Sequence, residues 1–251
     1  MLKYIILYNE SKPMLDETFV YRIQAVRDFG TVRSGDPGGF VKDGENLSHA
    51  GNCWIADDAV AADFSRVQGD AVLSGKARLS RFAWIGGSAH VTGHVRMTDY
   101  TSAYGNAFIG GYARLCEGAS VFENGYVKVA QWHGLTMDGL TTVRGNARLV
   151  DLAFMRDRSL LDGNAVLRKR ANLRENAHAC DHARIGGSVR ISGDAWVRCN
   201  VSVTGRSQIT GDAVVGGRCV VSGKSYITCK VRIGGDKHYE NIILSGDQFL
   251  F

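Results

Sequence analysis

The sequence has very little proline, 2 residues among 251, but it contains 31 glycines. This composition suits a chain with many tight corners and few linkers, and the glycines do not recur at every third residue as in collagen. No apolar run approaches the roughly 20 residues that a membrane-spanning helix needs, and no signal-like basic and apolar segment opens the chain. We therefore expect a cytoplasmic protein without membrane contact.

The usual sequence marks of a helical protein or of a familiar enzyme are also missing. Apolar residues do not settle into the i, i+3, i+4 spacing of an amphipathic helix, and no G-x-S-x-G, Walker or dinucleotide-binding fingerprint is present. The 6 cysteines contain no C-x-x-C pair. We interpret them as reduced core or corner residues rather than as a disulfide framework or a zinc site.

A six-residue rule governs most of the chain and is plainest in residues Gly69–Ser74. The fifth position is nearly always Val, Ile, Leu or Met, and the third is small, most often Ala. These two positions point to the same face of a strand, so both point inward. Gly, Asp and Asn dominate the first two positions and tolerate the positive φ of a sharp corner. Each hexad is therefore a short strand plus a corner, and the repetition predicts an all-β solenoid.

The hexad frame divides the chain into five predicted segments. The β-prone runs in residues 1–50 ignore the rule, and we expect them to form a small N-terminal β cap over the open end of the solenoid. Two solenoid blocks are expected at 51–128 and 145–234. Residues 129–144 are not a whole number of hexads and are predicted to form a loop or irregular coil. The rule decays after Gly234, so residues 235–251 are predicted to form a C-terminal cap.

The N-terminal part of the chain also resembles a known family. The runs Arg22–Phe29, Gly38–Val41, Asn46–Ser48 and Gly51–Ile55 resemble the entry sequence of the YdcK-type β-solenoid proteins. These are bacterial and prophage-encoded proteins of unestablished activity, related in shape to the left-handed hexapeptide-repeat transferases. The resemblance covers nearly the whole chain and implies a left-handed parallel β-helix with three hexads per turn. It supplies no catalytic residues.

With three hexads per turn, outward residues 18 positions apart stack in columns. Contiguous exposed aromatic residues usually mark an interface, and the related transferases imply a trimer. The alternative is that these rings fold over neighbouring corners and only seal the prism. The predicted interface residues are Trp54, Phe108, Tyr126, Phe64, Phe82 and Tyr100.

A third column consists of Arg78, Arg96 and Arg114. Like charges at one strand spacing repel unless an anion or an acidic group lies between them. The column is therefore either a row of solvated arginines or an anion-binding ladder.

Two further features could carry chemistry. His133 lies in the predicted interruption, where a neutral imidazole could act as a general base; the resemblance implies this role, because left-handed β-helix acyltransferases use a histidine near a loop excursion. The alternative is that His133 is an ordinary loop residue at the point where the six-residue frame shifts. Basic residues outnumber acidic ones from Arg144 to Arg198, and the predicted coenzyme-phosphate ligands there are Arg168, Arg170 and Arg174.

These observations support three functional hypotheses. The first is a non-catalytic binding or assembly scaffold without a cofactor, homo-oligomeric with a trimer favoured, which takes an anionic small molecule as its ligand. The second is an acyltransferase that uses acetyl-CoA or another acyl-CoA, with His133 as base. The third is a nucleotide or nucleic-acid binder, which is the weakest because a solvated face explains the charge. The histidine pairs His90 with His94 and His178 with His182 lack an acid-rich setting, so we expect no metal site.

Overall fold

The computed structural model describes residues 2–14, 18–131 and 134–251. Within these ranges nearly every hexad forms a two-residue strand, and the strands wind into a parallel β-solenoid of about 12 turns. Partner strands in adjacent coils lie 18 residues apart, as Val72–Leu73 and His90–Val91 do. The predicted fold class, an all-β parallel β-helix of hexad repeats with a small N-terminal β cap, is confirmed.

The solenoid has three faces, which we call the arginine face, the aromatic face and the third face. The strands of the arginine face are Pro37–Val41, Val60–Ala61, Arg78–Leu79, Arg96–Met97, Arg114–Leu115, Phe154–Met155, Asn172–Leu173, Arg190–Ile191, Gln208–Ile209, Tyr226–Ile227 and Ile243–Leu244. The strands of the aromatic face are Arg66–Val67, Trp84–Ile85, Ser102–Ala103, Ser120–Val121, Thr142–Val143, Leu160–Leu161, His178–Ala179, Trp196–Val197, Val214–Val215, Arg232–Ile233 and Phe249–Leu250. The strands of the third face are Trp54–Ile55, Val72–Leu73, His90–Val91, Phe108–Gly111, Tyr126–Val129, Arg148–Val150, Val166–Leu167, Arg184–Ile185, Ser202–Val203, Val220–Ser222 and His238–Glu240.

The N-terminal cap is an antiparallel hairpin of strands Tyr4–Pro13 and Phe19–Ala25. The second hairpin strand pairs antiparallel with Pro37–Val41, which in turn pairs parallel with the first coil strand of the arginine face, so the cap is continuous with the solenoid. A 3-10 turn, Gly44–Asn46, follows and is capped by the Asp43 carboxylate.

The cap corrects one predicted interface residue, because Trp54 is buried. Its ring packs edge-on against Phe29, with 5.4 Å between centroids, and against Tyr4 at 6.5 Å. Although Trp54 occupies an outward hexad position, the cap covers the first coil of the third face at this point. Trp54 therefore belongs to the core rather than to an exposed surface.

The interruption is one enlarged coil. Asn124 and Asn146, which are hydrogen-bonded corner neighbours, lie 22 residues apart rather than 18. Met137 forms isolated bridges to Leu115 above and Met155 below, and these connect the sheet that ends at Arg114–Leu115 to the sheet that begins at Phe154–Met155. Residues 139–144 already have hexad geometry, and Thr142–Val143 pairs in register on the aromatic face.

The coil also continues where the hexad rule decays. Strands His238–Glu240, Ile243–Leu244 and Phe249–Leu250 extend the three faces in turn. Residues 235–251, predicted as a cap, form a further coil of the described solenoid because backbone pairing persists without the regular side-chain pattern.

The inward third and fifth positions fill the core, as Ala71 and Leu73 do with no exposed surface. At the corners the chain turns through positive φ, and successive corners stack closely: a Cβ on Gly87 would lie 2.8 Å from the backbone nitrogen of Gly105. Several corners carry an acidic residue instead, whose carboxylate accepts the backbone N–H of the next corner. Asp63 accepts from Arg81 in this way at 2.8 Å.

Candidate functional site: an arginine-lined groove

Arg78, Arg96 and Arg114 are direct partners on adjacent parallel strands of the arginine face. Their strands are about 4.8 Å apart, and none of the three forms an ion pair with a described residue. Like charges at this spacing repel by on the order of 1 kcal/mol per pair in water and more where solvent is partly excluded. The column is thus an unneutralised strip of positive charge within the described structure.

The arginine face supplies almost no acidic side chains that could neutralise this column. At the second, fourth and sixth hexad positions of the arginine face, counted over the described residues from Lys76 to Thr228, the single acidic residue is Asp138. The basic residues at these positions are Lys76, Arg78, Arg96, Arg114, Arg156, Arg170, Arg174, Arg190, Arg206 and Lys224. Nearby corner carboxylates are used by the backbone instead, as Asp57 is in accepting the N–H of Gly75 at 2.8 Å.

One side of the arginine column borders a groove of about 580 Å³. Its other wall is formed by Lys76, His94 and Tyr112, the corner residues that lie two positions before each arginine. The rings of His94 and Tyr112 stack with 4.8 Å between centroids and an interplanar angle of 3°. The groove therefore combines cations with a flat aromatic wall.

The other side of the column borders a second cavity of about 270 Å³, which is mainly apolar. Met14, at the end of the first hairpin strand, and Leu135, in the enlarged coil, both line it. These two residues come from the two departures from the hexad rule, and both departures reach the same arginines. Arg78, Arg96 and Arg114 line both cavities and form their common wall.

Cys116 also lines the apolar cavity, and its thiol is not a reactive group. Burial is the main cause that raises the pKa of Cys116 to about 12, and the nearby Asp138 carboxylate adds to the effect. The Cys116 Sγ donates to Asp138 Oδ1 at 3.2 Å. The side chain is a neutral thiol at physiological pH and does not serve as a nucleophile there.

His133, the predicted general base, lies outside the described residues, and its role stays a prediction. The predicted coenzyme ligands do not converge on one point. Arg168 lies along the third face beside Gly186, Arg170 occupies the following corner, and Arg174 lies on the arginine face.

A second cationic cluster, which lies within the basic stretch from Arg144 to Arg198 and includes the predicted ligand Arg174, surrounds Phe154 lower on the arginine face. The guanidinium groups of Arg156 and Arg174 lie 5.4 and 5.2 Å from the Phe154 ring centroid. Arg174 Nε donates to Asn172 Oδ1 at 3.1 Å. Burial lowers the pKa of Arg174, and the charges of Arg190 and Arg156 lower it further. Positive charge thus continues below the enlarged coil.

The predicted aromatic column at the edge of the aromatic face is exposed and stacked. Phe64, Phe82 and Tyr100 are 67%, 47% and 68% exposed, and successive ring centroids are 5.2 and 4.9 Å apart. Trp84 and Tyr104, on the same face, stack at 5.4 Å and enlarge the aromatic surface. This surface was only partly anticipated, because the predicted set included corner rings and omitted these two.

The predicted aromatic pair on the third face is half-buried. Phe108 and Tyr126 stack at 4.9 Å, and a Cβ on Gly110 would meet the Phe108 ring at 2.7 Å, so this ring lies flat against the sheet. Arg148 covers the next rung, with its guanidinium 4.9 Å from the Tyr126 centroid. This pair is therefore largely sealed by its own neighbours.

The histidine pairs occupy separate surroundings. His90 contacts Ser74 at 3.4 Å, whereas His94 stacks on Tyr112. The His178 ring packs edge-on against Trp196, with ring centroids 4.5 Å apart. In the part of the chain that the structure describes, no three His, Cys, Asp or Glu side chains group as metal ligands. The same ranges contain no helix with the length and hydrophobicity needed to cross a bilayer.

No family model and no curated protein matches this chain. Among solved structures it is similar to LpxA from Acinetobacter baumannii, at 12% identity over 76% of this chain and 71% of that chain, with a TM-score of 0.38. A TM-score of this size supports no inference about a shared site or activity. Membership of the YdcK-type family stays a prediction.

Sequence reasoning identified the arginine column but missed the residues that turn it into a groove. Lys76, His94 and Tyr112 are spaced 18 residues apart at the second hexad position. Grouping outward residues by face would have placed them beside the arginines. Met14 and Leu135 had no such signal, because both lie outside the hexad frame.

Proposed function

We propose that this protein is a rigid, non-catalytic binding scaffold that holds a multiply charged anionic ligand in the arginine groove. The observation that carries the proposal is the in-register column of Arg78, Arg96 and Arg114 without a carboxylate partner among the described residues. An anion placed against adjacent guanidinium groups relieves their mutual repulsion and accepts charge-assisted hydrogen bonds from both.

The scaffold makes this arrangement favourable for binding. Arg78 and Arg96 stand on strands that are paired on both sides. Arg114 stands on the last strand of this sheet, where its backbone N–H donates to Thr136 Oγ1 at 3.1 Å. The backbone of each arginine is therefore fixed, and little chain entropy is lost when a ligand binds. The described groups beside the column support binding rather than reaction: Cys116 is a neutral thiol, and His94 is engaged in a ring stack.

Titration calorimetry with pyrophosphate tests this proposal. We expect Arg96→Gln to weaken binding by at least about tenfold, since a charge-assisted hydrogen bond contributes roughly 1.5–3 kcal/mol. Arg184→Gln is the matched control, because Arg184 is an exposed arginine at the same hexad position on the third face with Val166 and Ser202 as its neighbours. Absence of binding by the unmodified protein, or an equal loss in both variants, would contradict the proposal. A parallel titration with acetyl-CoA tests the acyltransferase hypothesis.

Self-association is the second part of the proposal, and the exposed aromatic column supports it. Stacked rings that stay open to solvent on one face form an apolar surface of the kind that subunit contacts cover. We expect sedimentation velocity to show an oligomer, with a trimer favoured, that Tyr100→Ser weakens. The control is Tyr226→Ser, an exposed tyrosine on a distant coil of the arginine face. A monomer at all concentrations would contradict self-association and leave the proposed anion binding standing.

A further inference from the structure

The two cavities beside the arginine column share one wall and differ in the residues opposite it. On one side Lys76, His94 and Tyr112 form a groove of about 580 Å³ whose lining side chains are all cationic or aromatic. On the other side Met14 and Leu135 overhang a mainly apolar cavity of about 270 Å³. All the charge of the second cavity lies in the shared arginines, because its other described lining residues are apolar, backbone or neutral polar groups.

A small hydrophilic anion would satisfy the arginines and leave the apolar cavity filled with water. A neutral apolar molecule would fill the cavity but leave the arginines unneutralised. Both surfaces are satisfied together by a molecule with a charged head and an apolar chain, since apolar burial and charge pairing then occur in one binding event.

We propose that the ligand is a single-chain anionic amphiphile, with a phosphorylated head on Arg78, Arg96 and Arg114 and an alkyl chain beneath Met14 and Leu135. This inference rests on the proposed function and specifies the ligand of the same site. The apolar cavity holds about nine water volumes at ~30 Å³ each. It therefore has room for one chain of roughly eight carbon atoms.

The geometry also assigns separate roles to the two irregular segments. The hairpin end contributes Met14 and the enlarged coil contributes Leu135, whereas the regular coils contribute the arginines and the remaining lining of the cavity. Head binding therefore depends on the repeat alone, and chain binding depends on the repeat together with the two residues that depart from it.

Calorimetric titration with butyl, hexyl and octyl phosphate, each below its micelle concentration, tests the inference. Affinity should rise by roughly fourfold per added methylene group that is fully buried, so octyl phosphate should bind at least about tenfold more tightly than butyl phosphate even if only two of its four extra groups are buried. Octyl glucoside, which has the chain without the charge, should bind far more weakly than octyl phosphate.

Two variants separate the chain from the head. Leu135→Asn should flatten the dependence of affinity on chain length by weakening octyl phosphate binding more than butyl phosphate binding, whereas Arg96→Gln should weaken binding of every alkyl phosphate by a similar factor. Leu140→Asn is the matched control, because Leu140 is an exposed leucine in the same enlarged coil that does not line the cavity.

Phosphate binding that is independent of chain length would overturn the amphiphile inference and leave the proposed anion site standing. Failure of both pyrophosphate and the alkyl phosphates to bind would overturn both. Equal affinity for octyl glucoside and octyl phosphate would contradict the role of the arginines as the head-group site.

Discussion

The arginine face and the aromatic face share the same coils between residues 63 and 116 and differ almost entirely in what they expose. Both rest on buried third and fifth hexad positions, of which the third is a small or compact residue. On the aromatic face, Phe64, Phe82 and Tyr100 stack and attract one another. On the arginine face, neighbouring side chains at one strand spacing repel. The outward positions are therefore free to vary, and one column stabilises the coil while the other costs stability.

A second difference lies in what covers each face. The N-terminal hairpin and the enlarged coil both reach the arginine face, where Met14 and Leu135 overhang the column. The aromatic column is open to solvent for most of its length, and Lys42 Nζ lies over its first ring, 5.8 Å from the Phe64 centroid. On the arginine face the unfavourable charge coincides with two cavities that the same arginines line, which is why we place ligand binding there and self-association on the other face.

The largest expected effect comes from breaking the scaffold that both faces share. Gly87→Ala should lower the free energy of unfolding by about 3 kcal/mol, because φ is +62° and the new Cβ would lie 2.8 Å from the nitrogen of Gly105. Urea denaturation measures the change. Gly44→Ala is the control, since a Cβ there meets nothing within 4 Å, and an equal effect in both variants would refute close corner stacking.

The aromatic column should respond next. Phe82→Ser removes the central ring and both of its stacking contacts, so we expect a loss of about 2 kcal/mol in unfolding free energy. Phe82→Tyr keeps the ring and should be nearly neutral. If the two variants were equally stable, the column would contribute nothing to the coil.

The arginine column should respond with the opposite sign. Arg96→Gln relieves two like-charge contacts and should raise the free energy of unfolding by about 1 kcal/mol at low ionic strength. The gain should vanish in 1 M salt, where the screening length is about 3 Å. Arg184→Gln should show neither the gain nor its salt dependence; destabilisation by Arg96→Gln at low salt would show that the column is neutralised within the protein.

The smallest expected effect concerns pH and the lower part of the aromatic face. Burial lowers the pKa of His178 below its ordinary value of 6.5, against the opposing charge of Asp162. The unfolded chain then binds the proton more readily, so this contribution to stability is fully present above pH 6.5 and is lost as pH falls below that value. His178→Gln should reduce the stability difference between pH 7 and pH 5.5, measured by denaturation at both. An unchanged difference would exclude His178 as its source.

The repeat could be predicted from sequence because the residues that determine the structure of each hexad lie within that hexad. Small and large inward residues and corner glycines recur within a few positions, so local chemistry and global fold agree. The frame also ordered the outward columns, including the three arginines. One error was residues 139–144, which we assigned to the interruption although Gly139, Thr141 and Val143 fit the six-residue rule. The other was residues 235–251, where backbone pairing persists without the pattern.

The candidate site could be predicted only in part, because the walls of its apolar cavity come from residues far apart in the chain. Met14 and Leu135 lie in segments that follow no period, and only the folded chain brings them to the same arginines. Trp54 shows the converse limit: its hexad position is outward, but the cap buries it. The pattern specifies the direction of a side chain from the coil and not what later covers it.

A crystal of the protein soaked in tungstate, with the anomalous scattering of the metal used to locate the anion, tests the central claim most directly. The account predicts an anomalous peak in the groove, within hydrogen-bonding distance of Arg96 and an adjacent arginine of the column. Peaks only at isolated exposed arginines such as Arg184, with none at the column, would contradict it.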